Sequence, residues 1–185
     1  MAYYQSAGKI PPKRHTQFRK SDGSLYSEQL FSTEGFSNDY SLLYHLHPPT
    51  QIIRTEKPAN AAPRIAEEKM LAHRSFEGFS ISPIPDYLES RVPILVNNDV
   101  HIVLAAPQAS MDQYFFKNAD ADELLFIHEG SGVLHSMYGE ISFGYGDYLS
   151  IPRGTIYRLH FATENNRLFI IESFSPISFP KRYLG

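Results

Sequence analysis

Residues 114–132 read YFFKNADADELLFIHEGSG, and the spacing inside this stretch decides the fold. Glu123 heads a short apolar run with strand character, and Gly130 closes it after six intervening residues. Glycine accepts the left-handed backbone of a tight turn, so the pair outlines one strand and the corner behind it. A carboxylate at the head of such a strand can serve a metal ion when imidazoles accompany it. A second segment, GDYLSIPRGTIY over 146–157, has the same layout: Gly146, five residues, the corner Pro152-Arg153-Gly154, two residues, then Tyr157. The corner re-aims the strand that follows it.

From Arg91 onward the chain is a series of short β-branched and aromatic runs: VPILV, VHIVLAA, YFF, ELLFIHE, GVLHSMYG, EISF, DYLSI, IYRLHF and RLFIIESF. Turn residues separate them at Asn97-Asn98-Asp99, Asp120, Gly130-Ser131-Gly132, 144–147, Arg153-Gly154 and Glu164-Asn165-Asn166. Evenly spaced short strands with such turns predict an antiparallel sandwich or barrel over 91–185. Composition agrees, since 12 Tyr, 13 Phe and 13 Pro favour β structure rich in turns over a helical bundle. Hydrophobic residues at 42% suffice for a core.

Residues 1–90 read as an extended, Pro-punctuated region. KIPPKRHTQFRKSDGSLY holds Lys9, Lys13, Arg14, Arg19 and Lys20 and an Asp22-Gly23 turn. Such a stretch is more often a solvated face or a segment draped over a partner subunit than a phosphate site. Strand-like alternation around 41–46 stops at Pro48-Pro49. The best helix candidate lies near 63–75, where Pro63 suits a first turn and Ile65, Met70 and Leu71 form a partial apolar stripe. One or two short helices are therefore expected.

Several function classes fall away. A net charge of -3 gives no reason to expect nucleic acid or an anionic membrane as partner. The absence of cysteine removes disulfides, thiolate metal sites and a cysteine nucleophile, and fits a cytoplasmic location. No run approaches the length of a membrane-spanning helix, and the N-terminus lacks a signal-peptide core.

The two glycine-bounded segments resemble the paired motifs of the cupin family, small jelly-roll barrels that often hold a metal with two His, a Glu and a later His. The paired imidazoles of that pattern should precede Glu123, but Phe116 with Asn118, or Lys117 with Ala119, stand there, and Tyr157 takes the place of the late histidine. A lone carboxylate does not hold a divalent ion. His45 and His47 in YHLHPP share one strand face and form another candidate ligand pair, with Glu123 as a third. His101, His128, His135 and His160 stand singly and are expected to be structural.

Longer strings carry a closer resemblance. KIPPKRHTQFR, GSLYSEQLF, YSLLYHLHPPTQ, VPILVNNDVHI, ADELLFIHEGSGVLH, GDYLSIPRGTIYRLHF and the closing ESFSPISFPKRY are similar to bacterial homogentisate 1,2-dioxygenase over nearly the whole chain. The resemblance implies a two-cupin enzyme of tyrosine and phenylalanine catabolism that opens homogentisate with O2 at a non-haem Fe(II), giving maleylacetoacetate. It implies that the iron ligands lie in the second cupin, so this chain is the first, metal-free half, with no catalytic residue and no cofactor of its own. Homo-oligomers, trimers or hexamers, are the family's habit. Two alternatives stay open. One is a stand-alone small-molecule-binding or scaffold cupin with Phe126, Tyr148 and Tyr157 lining the barrel. The other is a one-domain metalloenzyme using His45, His47 and Glu123.

Overall fold

Alternation of apolar and polar residues sets which face of each strand is buried, and the strands fall where that alternation runs. The computed structural model describes residues 17–37, 40–49, 51–56, 63–67 and 72–183. Contacts divide the chain into Met1–Ala61 and Ala62–Gly185. In the first unit, β1 (Ser27–Ser32) and β2 (Tyr40–His45) pair antiparallel, with Ser27 opposite His45. Before them Asp22 accepts hydrogen bonds from the Ser24 amide and hydroxyl, which fixes the turn whose Gly23 has φ of 83°.

Among the described residues the second unit holds eight strands: β3 (Val92–Val96), β4 (Val100–Ala105), β5 (Asp122–Glu129), β6 (Gly132–Ser136), β7 (Gly139–Phe143), β8 (Tyr148–Ile151), β9 (Tyr157–Phe161) and β10 (Arg167–Ser173). They form a five-stranded sheet in the order β3-β4-β10-β5-β8 and a three-stranded sheet in the order β7-β6-β9, with every pairing antiparallel. This is the two-sheet, jelly-roll type of barrel that the sequence predicts. Its core gathers Val103, Leu125, Ile127, Leu159, Leu168 and Ile170 among others. Pro93 sits in the edge strand β3, where its missing N–H leaves no gap between strands.

Two corners foreseen from the glycines position the site. Gly130 has φ of 105°, a region that side chains with a Cβ avoid. At the second corner the Thr155 amide donates to the Pro152 carbonyl and the Gly154 amide to the Asn118 carbonyl. Asp122 ties this corner down, its Oδ1 accepting from the Arg153 amide and its Oδ2 from the Ile177 amide.

The helix expected near 63–75 is absent from the residues described there. Residues 63–67 and 72–75 carry no helix, and 68–71 lie outside the described residues. Ile65 is 81% exposed, so this member of the expected stripe finds no apolar surface to bury it. The helices described are two 3-10 turns, Gly78–Ser80 and Lys181–Tyr183. Among the described residues no helix is long and apolar enough to cross a membrane. The expected division at residue 90 falls inside the second unit. There the Gln108 and Ala109 amides donate to the Ile84 and Pro85 carbonyls and bind 84–85 to the barrel.

Candidate functional site

The alternation in β5 turns Glu123, Leu125 and Ile127 inward and Leu124, Phe126 and His128 outward. Glu123 is fully buried and lies directly opposite Glu172 of β10, which in turn lies opposite His101 of β4. Two carboxylates facing each other across a sheet repel, and burial strengthens the repulsion. A cation resolves it. The Arg91 guanidinium reaches both, with Nη1 2.8 Å from Glu123 Oε1 and Nη2 donating to Glu172 Oε1 at 2.6 Å. Glu123 Oε1 takes part in this ion pair but in no hydrogen bond.

The remaining donors form a chain around this pair. Nη1 of Arg91 donates to the Tyr87 hydroxyl at 3.2 Å. The Tyr157 hydroxyl donates to Glu123 Oε2 at 2.7 Å, which leaves Tyr87 as the donor in the long 3.5 Å contact between the two hydroxyls. Asn118 Nδ2 donates to Glu172 Oε1, while its Oδ1 accepts from the Asp120 and Ala121 amides and shapes the approach to β5. His101 Nδ1 stands 3.4 Å from Glu172 Oε2. The Arg91 guanidinium carbon lies 5.4 Å from the Tyr87 ring centroid and 5.5 Å from that of Phe116, within cation–π range.

Burial acts on the two tyrosines. It pushes the Tyr87 hydroxyl up to about 12, with Arg91 opposing and Glu123 adding to the shift. It also lifts Tyr157 well above the ordinary tyrosine range, helped by Tyr87 and Glu123. In the unfolded chain both lose a proton near pH 10, so above that pH the unfolded state binds fewer protons than the native one. The Tyr87 contribution to stability is complete below pH 10 and is lost as the pH rises through about 12, and the Tyr157 contribution has the same sign. Each tyrosine is expected to give a slope of about -1.4 kcal/mol per pH unit in that window. Urea unfolding between about pH 9 and 11 measures it, and Tyr87→Phe should remove one tyrosine's share. An unchanged slope in that variant would show that Tyr87 does not keep its proton.

The carboxylate of Glu123 is already engaged by other groups. Both of its oxygens face Arg91 and Tyr157, Phe116 packs edge-on against Tyr157 at 5.6 Å, and Asn118 serves Glu172. His45 ends β2 with Nε2 2.8 Å from Gln29 Oε1, and the exposed His47 follows in a bend, both in the first unit. Among the described residues no three His, Asp or Glu side chains form a group that could hold a metal. The donors near Glu123 therefore do not fit the iron that the cupin resemblance brings to mind.

The alternative barrel lining also needs correction. Tyr157 is interior, but Phe126 and the 64% exposed Tyr148 lie on the outer face with rings 4.8 Å apart. On that face a groove of about 490 Å³ runs between Phe76, Phe79, Leu104 and Phe169, with His128 and Arg167 at its sides. Of the single histidines, His128 meets Phe79 edge-on at 4.9 Å, His135 Nδ1 is 3.0 Å from Glu140 Oε1, and His160 Nδ1 is 3.8 Å from Asp112 Oδ1. Arg91, Glu172 and Tyr87 are the site residues that the motifs did not single out.

The family model described as homogentisate 1,2-dioxygenase N-terminal matches residues 5–182. A protein of Saccharolobus solfataricus with a provisional dioxygenase name is 37% identical over 183 residues, covering 99% of this chain and 47% of that protein. The chain thus spans about half the length of that relative. Among solved structures, a cupin-2 domain protein of Shewanella frigidimarina is 25% identical at a TM-score of 0.40, over 45% of this chain and 79% of that one. A Ralstonia eutropha protein provisionally named a mannose-6-phosphate isomerase is 17% identical at a TM-score of 0.47, over 55% and 98%.

Proposed function

Because the chain belongs to the homogentisate 1,2-dioxygenase N-terminal family, we propose that it is the metal-free cupin half of an Fe(II)-dependent ring-cleaving dioxygenase. The reaction proposed for the whole protein is homogentisate plus O2 to maleylacetoacetate, in the breakdown of tyrosine and phenylalanine. Iron, when bound by such an enzyme, supplies open coordination positions for O2 and substrate oxygens, and we assign it to a part of the protein outside these residues. The observation that carries this assignment is the state of Glu123, whose carboxylate is occupied by Arg91 and Tyr157 and which, among the described residues, joins no group of three His, Asp or Glu that could hold a metal. This half then contributes a rigid barrel, contacts within a cytoplasmic homo-oligomer of three or six subunits, and no reacting group.

Oxygen uptake with homogentisate separates this from a self-sufficient enzyme. The purified 185-residue chain, loaded with ferrous iron and desalted, is expected to retain no stoichiometric metal and to consume no oxygen above background. Turnover by that chain, or one tightly held iron per chain, would sink the assignment.

A binding role is the second reading, and the groove beside Phe79 and Phe169 favours it, since its volume lies within the range of small-molecule sites. Saturable protection of these residues by an apolar dye, lost in Phe169→Asp, would support it.

A further inference from the structure

We propose that the end of the barrel around Glu123 is a guanidinium receptor, and that the Arg91 side chain is its built-in ligand. The cup has two kinds of wall. Glu123 and Glu172 sit on neighbouring strands, and the two terminal nitrogens of one planar cation divide between them at 2.8 and 2.6 Å. The rings of Tyr87 and Phe116 lie 5.4 and 5.5 Å from the guanidinium carbon. A divalent ion draws its affinity from oxygen and nitrogen donors and gains nothing from aromatic rings, whereas a guanidinium uses both carboxylates and π faces. In one of the two registers the cupin pattern allows, Phe116 stands where an imidazole would, and a ring in place of a donor changes which cation the pocket suits.

Arg91 arrives from a braced turn. Asp86 Oδ1 accepts from the Glu89 amide, its Oδ2 accepts from the Tyr114 hydroxyl, and the Ser90 amide donates to the Asp86 carbonyl. Held there, the guanidinium makes an ion pair with the buried Glu123 Oε1 but no hydrogen bond to it. A free guanidinium has no tether and can rotate to supply that bond. The pocket left by deleting the Arg91 side chain is therefore specific for free guanidinium and short alkylguanidinium ions over metal ions. This holds whichever reaction the whole protein catalyses.

Thermal unfolding of the full 185-residue Arg91→Ala chain tests it, with millimolar guanidinium chloride, potassium chloride or manganese chloride added. Guanidinium is expected to raise the lowered Tm saturably, recovering at least half of the loss. It should leave the wild type unchanged and do nothing for Arg91→Ala/Glu172→Gln. A larger rise with manganese, no rise with any cation, or an equal rise in the wild type overturns the proposal. Arg91→Lys keeps the test decisive should the alanine variant not fold. A point-charge ammonium cannot divide itself between two carboxylates, so its Tm should fall well below that of the wild type, and an unchanged Tm refutes guanidinium specificity.

Discussion

Replacing Arg91 by methionine is expected to destabilise the chain by about 3–5 kcal/mol, the usual cost of removing one partner from a buried ion pair. The substitution keeps much of the side-chain volume but leaves Glu123, with no exposure, and Glu172, at 17%, facing each other without a counter-charge. For a domain of this size the loss corresponds to a fall in Tm of roughly 10 °C. Charge, rather than packing, is the cause, so Arg91→Met/Glu123→Gln/Glu172→Gln should regain most of it. Replacing a whole buried ionic cluster by neutral groups of similar shape is often close to neutral. Calorimetry on the two variants decides. If the single and triple variants melt together, the carboxylates do not repel as their placement requires.

Gly132→Ala should be the other severe substitution, for an unrelated reason. Gly132 lies in the middle strand of the three-stranded sheet, opposite Phe143 of β7 and Phe161 of β9. A Cβ there would stand 2.2 Å from the His160 carbonyl oxygen, 2.9 Å from Phe143 Cζ and 3.0 Å from Phe161 Cα. Two of the three are backbone atoms and cannot swing away, so β6 and β9 must part. A loss of about 3 kcal/mol or more is expected. Gly139→Ala is the control. Its φ of 123° disfavours a side chain, by about 1–2 kcal/mol, but nothing lies within 4 Å of the added carbon. Equal Tm values for the two variants would count against steric exclusion at Gly132.

Much of this architecture was legible in the sequence. The strands of the barrel follow apolar alternation, and the corners at Gly130 and at 152–154 follow residues that permit only a few backbone shapes. The helix expected near 63–75 does not occur in the residues described there, because propensity does not sustain a helix without a surface to bury Ile65. Within the site, Glu123 and Tyr157 stood out by motif spacing. Arg91 and Glu172 did not, because Glu172 meets Glu123 only through the pairing of β5 with β10 and Arg91 reaches both from ahead of β3, which no local pattern encodes. A usable signal did exist. Each of these three charges borders an apolar run, and charges of opposite sign at strand ends invite pairing. Parity was readable too. With Glu123 inward, Leu125 and Ile127 must follow it and Phe126 must point away, so Phe126 could not line the barrel.

The place of β10 bears on how the molecule is made. It is the last strand among the described residues and the central one of its sheet, flanked by β4 and β5, which have no partner in each other. A chain emerging from the ribosome therefore carries two unjoined halves of that sheet until residues 167–173 are released. The barrel closes late and in one cooperative step, through contacts distant in sequence, which is the topology of a slow folder. Until then the growing chain has two open strand edges, and its protection against misassociation must come from the rate of synthesis and from chaperones.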